Sequence, residues 1–213
     1  MNFSNWFKSL VNPVEVFREE KKNADLVEAV KIVGITGFIL SIFYAISYVI
    51  STFLFADMMT NMSMADAYWG ESGSMGMVLL VGILIVILCF IFNILFFLIQ
   101  SGLLFIFAKL FGGKGDFSTQ TYLISLPYAA LTLIEIPFVI FNIIPFIGFL
   151  FSLVSLLIWI YGLYPLTIAL KETHDYDTMK AVLTWVVLIL IIVVIPTILI
   201  VGIVLWQLGV FNI

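Results

Sequence analysis

Five long apolar runs restrict this chain to one class of fold. They lie at about Ile32–Phe55, Met77–Phe111, Thr121–Ile143, Phe146–Leu170 and Ala181–Gln207. A helix needs roughly 20 apolar residues to cross about 30 Å of hydrocarbon. Runs of this length, without the alternation of a barrel strand, satisfy their backbone in lipid only as helices. The sequence therefore predicts an all-α, polytopic membrane protein with five transmembrane helices. Composition points the same way. The chain is 63% hydrophobic and 10% charged, whereas a soluble domain carries about 25% charged residues. Two parts are expected, a cytoplasmic amphipathic N-terminal segment over residues 1–30 and a membrane domain over residues 31–213.

The second run would reach about 50 Å as a helix, which raises the question of one span or two. The nine basic residues decide it. They are Lys8, Arg18, Lys21, Lys22, Lys31, Lys109, Lys114, Lys171 and Lys180. With five spans all of them share one side, and cytoplasmic loops carry the excess of Lys and Arg. Splitting the second run would move Lys109 and Lys114 to a side with no other base. One tilted helix, or one with an interfacial extension, is therefore expected. The protein is placed in a cell membrane, with its N-terminus cytoplasmic and its C-terminus outside. Tyr68, Trp69 and Trp206 fall near the outer interface and Tyr122, Tyr164 and Trp185 near the inner one. Asp57, Asp66 and Glu71 lie in an outer loop without a base.

Ahead of the first span, Phe3, Phe7, Leu10, Val14 and Phe17 recur at helical spacing, with Trp6 beside them. Pro13 must start a helix or break one. One or two short amphipathic helices are expected, either interfacial on the inner membrane surface or packed on the cytoplasmic ends of the spans. Asn23 is a candidate N-cap for the helix entering span one.

Glu135 is the one charged residue well inside a span. A carboxylate at the helix centre costs about 2.5–3.5 kcal/mol on insertion scales, so it should face protein or water or be protonated. At the same depth, span one offers Tyr44, Ser47 and Tyr48, span four Ser152 and Ser155, and span five Thr197. These residues form a candidate polar cluster. It is read either as a proton, cation or headgroup site, or as hydrogen-bonded packing around a protonated Glu135. Asn93 and Gln100 are seven apart and share a helix face suited to interhelical hydrogen bonds. Gly34, Gly37, Ser41 and Ala45 form a small-residue stripe that lets a neighbouring helix approach.

Other motifs point away from catalysis. Gly112-Gly113-Lys114-Gly115 lacks the spacing of a phosphate loop and reads as a tight turn, with Asp116 or Ser118 capping span three. His174, near Asp175 and Asp177, reads as a solvated loop histidine. The single cysteine, Cys89, excludes an intrachain disulfide. No catalytic residue, metal ligand or cofactor is assigned. The net charge of −4 argues against nucleic acid.

Four stretches resemble the Yip1 domain family. They are Asn12-Pro13-Val14-Glu15-Val16-Phe17, Phe111-Gly112-Gly113-Lys114-Gly115-Asp116-Phe117, Pro145-Phe146-Ile147-Gly148, and the run from Trp159 through Tyr161, Leu170 and His174 to Lys180-Ala181-Val182. The resemblance covers most of the chain in order. It implies five helices, a cytoplasmic N-terminus and a C-terminus on the far side. Eukaryotic members act in vesicle traffic and bind prenylated Rab-type GTPases. This chain lacks their long N-terminal region and its Asp-Leu-Tyr-Gly-Pro type motif, and is similar to the short prokaryotic members. Rab-type GTPase binding is therefore not carried over.

The expected role is a non-enzymatic scaffold or adaptor in membrane organisation or trafficking-like processes. Its partners would be the lipid bilayer and itself or another membrane protein. The alternative is a small transporter or channel using the cluster around Glu135.

Overall fold

The computed structural model describes residues 3–60 and 75–207. Asp66, Tyr68, Trp69 and Glu71 lie outside the described residues. Short helices α1 (Phe3–Val11) and α2 (Pro13–Glu20) precede the spans. Pro13 starts α2 at its first turn, where a missing N–H costs no helical bond. The turn Lys21–Asn23 is a 3-10 helix. Asn23 is therefore not a cap. Helix α3 (Leu26–Thr60) begins after it, and the Ala29 N–H bonds back to the Asp25 carbonyl at 3.1 Å. The overlong run is a single helix, α4 (Met75–Leu110). Next come α5 (Phe117–Phe141) and α6 (Pro145–His174). The last span is α7 (Thr178–Ile189), a π-helical stretch Leu190–Val194, and α8 (Ile195–Gln207). Among the described residues five helices are long and apolar enough to cross a membrane and there is no strand, so the chain is a multi-pass membrane protein of the all-α class.

Helix α5 is the most buried span. It packs on α3, α4 and α6, and α3 also packs on α4. The small-residue stripe explains the α3–α4 approach. A Cβ on Gly37 would sit 2.5 Å from Asn93 Oδ1. That oxygen is buried without a hydrogen-bond partner, and it occupies the space that a side chain at Gly37 would need. Gly34 lies against Phe90 and Ile94.

In the fifth span, only α7 packs substantially on other spans, α4 and α6. Its Trp185 Nε1 donates to Thr167 Oγ1 at 2.9 Å. The π stretch then inserts ahead of Pro196. Proline cannot donate to the carbonyl four residues back, and a π-bulge absorbs that break. Past this point α8 has no substantial contact except with the π stretch before it.

The N-terminal helices dock on the bundle. Helix α1 buries Trp6, Ser9 and Leu10 against α5, and α2 buries Val16 and Phe17 against α6. Of the two placements the sequence allowed, the bundle takes the inward face, while Phe3, Phe7 and Val11 remain exposed. Polar bonds tie this strap down. Arg18 meets Glu172 with both Nε and Nη2, each at 3.2 Å. Lys21 donates to the Glu172 carbonyl and pairs with Asp175 at 3.2 Å. Tyr161 donates to the Leu10 carbonyl at 2.6 Å, and Tyr122 to Glu20 at 2.6 Å. The strap and the loops 111–116 and 175–177 thus gather at one end of the bundle, its basic face.

Candidate functional site

Glu135 opens onto a cavity of about 240 Å³ in the middle of the bundle. Helix α5 supplies Tyr128, Thr132 and Glu135, which share one face at i, i+4 and i+7. Helix α4 adds Gln100 and Ser101, and α6 adds Trp159 and Gly162. The Asn93 side-chain amide donates to the Tyr128 hydroxyl at 2.9 Å. Thr132 donates to the Tyr128 carbonyl at 2.8 Å. Neither the Glu135 carboxyl nor the Gln100 amide has a hydrogen-bond partner among the described residues.

The hydroxyl residues expected around Glu135 do not converge on it. Tyr44 does not line the cavity. Ser47 donates to the Val139 carbonyl at 3.2 Å. Tyr48 and Ser155 are half-buried off the cavity. Ser152 donates to the Gly148 carbonyl at 2.9 Å and to Asn142 Oδ1 at 3.5 Å, and Thr197 donates to the Val193 carbonyl of the π stretch at 2.7 Å. Ser41 likewise bonds the Phe38 carbonyl at 2.8 Å. Equal depth did not mean equal direction around the bundle. The residues the depth count missed were readable from the helical period, since Tyr128 and Thr132 lie seven and three residues before Glu135.

A second polar cluster lies beneath the loops of the basic face. His174, expected to be solvated, is fully buried. The side-chain amide of Gln120 donates to the Ser101 carbonyl at 2.8 Å, which turns its oxygen toward the His174 ring. His174 Nε2 therefore carries the proton and donates to Gln120 Oε1 at 2.8 Å. Ser101 and Thr121 share a hydroxyl bond at 2.7 Å. His174 Nδ1 is left without a partner, facing the space where a Gly113 side chain would be, 2.6 Å from that Cβ. The Lys114 N–H donates to the His174 carbonyl at 3.1 Å. Asp116 caps α5 by accepting from the Thr119 N–H at 2.9 Å. Partial burial pushes the Asp116 carboxyl up, but its bonds to Thr119 outweigh this and hold it below the usual range. This cluster joins α4, α5 and α6 through fully buried side chains. Gln120→Leu should strand the His174 N–H and free the Ser101 carbonyl. A cost of about 1–3 kcal/mol per stranded group should lower the melting temperature in detergent, and an unchanged melt would show the network to be idle.

The stretches that carry this loop architecture lie within a larger match. The Yip1 domain model matches residues 7–208, nearly the whole chain. No curated protein and no solved structure matches the chain. The chain belongs to the Yip1 domain family.

Proposed function

We propose that this protein works without catalysis, as a scaffold or adaptor in membrane organisation or trafficking-like processes of a cell membrane. Its basic face is cytoplasmic and its C-terminus outside. The observation that carries this reading is the docked strap. Trp6 and Phe17 are spent on the bundle, yet Phe3, Phe7 and Val11 stay exposed at a four-residue interval beside Lys8. A fixed apolar stripe flanked by a base suits the boundary between headgroups and acyl chains. It also offers a partner a rigid surface, which lowers the ordering cost of binding. The partner would be a second copy or another membrane protein.

The test is a photoreactive residue at Phe7 in intact cells, with Lys114→Cys in a Cys89→Ala background reporting orientation. Adducts to lipid or to a membrane protein are expected, with the introduced thiol labelled only from the cytoplasm. Crosslinks confined to residues of the same chain, or labelling of that thiol from outside, would refute the reading.

A further inference from the structure

The cavity at Glu135 poses a problem that lipid cannot solve. A polar group at membrane depth without a partner costs several kcal/mol. Both Glu135 and Gln100 face the cavity without one. A polar occupant of the space would give both groups a partner. The engineered apolar cavity that holds benzene is about 150 Å³, so about 240 Å³ admits a small organic molecule as well as water.

The lining selects among molecules. It contains no Lys, Arg or His, so no group on it would balance a phosphate or carboxylate. It contains one carboxyl, from Glu135. Phe97, Tyr128 and Trp159 also line it, and aromatic faces attract cations. The rest is aliphatic, including Leu40, Leu104 and Leu131.

The entrance follows from the packing. Helices α4 and α6 both line the cavity but have no substantial contact with each other. On the basic-face side α7 fills the gap between them. Beyond the π stretch α8 packs substantially on neither, and among the described residues none of the fifth span lines the cavity. The gap thus opens sideways into the hydrocarbon, next to Trp159 and Gly162.

We propose that this cavity binds a protonated amphiphilic amine, which enters from the bilayer between α4 and α6. Its ammonium group pairs with the Glu135 carboxylate, donates to the Gln100 amide oxygen and lies against the aromatic faces. Its apolar body occupies the aliphatic part of the cavity. The amine brings the charge that the lining lacks, and no proton has to cross the protein.

The test uses the full chain in nanodiscs of zwitterionic lipid, with 2-phenylethylamine as probe and 2-phenylethanol and 3-phenylpropanoate as its neutral and anionic counterparts. Empty nanodiscs give the partitioning background in equilibrium dialysis. Saturable one-to-one binding of the amine is expected, at least tenfold tighter than either counterpart. Glu135→Gln should weaken it at least tenfold and Gln100→Leu several-fold. Thr197→Val, on a lipid-facing residue away from the cavity, should leave it unchanged. The wild-type comparison decides even if Glu135→Gln does not fold. Non-saturable uptake matching empty nanodiscs, equal affinity for amine and alcohol, or unaltered binding in Glu135→Gln would each overturn the proposal.

Discussion

Replacing Gly115 by valine should prevent the loop between α4 and α5 from closing on α6. A Cβ at Gly115 would lie against the Thr173 carbonyl oxygen, 2.6 Å from Thr173 Cγ2 and 2.8 Å from the Thr173 carbonyl carbon. Two of those atoms are backbone, in the last turn of α6, so no side-chain rotation relieves the clash. Overpacking of a tight site costs about 1–3 kcal/mol and sometimes more. Here the displaced segment also carries the Lys114 N–H bond to the His174 carbonyl. The clash should therefore spread into the His174–Gln120 cluster. We expect Gly115→Val to melt well below the parent or to fail to accumulate. Gly102 is the control, because a Cβ there meets nothing within 4 Å. If Gly115→Val and Gly102→Val melted alike, the close packing of Gly115 on Thr173 would be wrong.

The second large effect is expected at Phe17. Its side chain is completely buried between the strap and the bundle. Truncating a buried Phe to Ala costs about 3–5 kcal/mol. The surface ion pairs cannot make up for this. Arg18 is largely exposed even while it meets Glu172, and exposed pairs contribute about 0.2–1 kcal/mol. Phe17→Ala should thus release α1 and α2 while the five spans stay folded. Limited trypsin digestion would read this as faster cleavage after Arg18, Lys21 and Lys22. Phe3→Ala, at an exposed position, should cut at the parental rate. Equal rates for both variants would mean that Phe17 does not anchor the strap.

These residues also show what could be read from the chain itself. Spans are set by apolar length, a one-dimensional property, so all five were legible. The basic residues settled the second one, which is indeed a single helix from Met75 to Leu110. Helical spacing exposed the strap, but not which side of it would meet protein. Phe3 and Phe7 match Leu10 and Phe17 in character and end up on opposite sides of the burial boundary. Depth along a span located Glu135 without giving its direction around the bundle. Ser152 and Thr197 share its depth and instead bond the Gly148 and Val193 carbonyls. His174 was misread for a different reason. What buries it is the missing side chain of Gly113, and an absent atom leaves no signal in a residue's own neighbourhood.

The strap has a consequence in time. Its partners are remote in sequence: Leu10 and Tyr161 are 151 residues apart, and Arg18 and Glu172 are 154 apart. Translation adds about 5–20 residues per second, so these two helices wait on the order of ten seconds or longer for the groups that will hold them. Trp6 has no pocket to enter until the third span has been synthesised, and Phe17 none until the fourth has. During that interval the bilayer surface is the nearest apolar phase. The strap is made before any of the five spans and is among the last parts of the bundle to reach its final place.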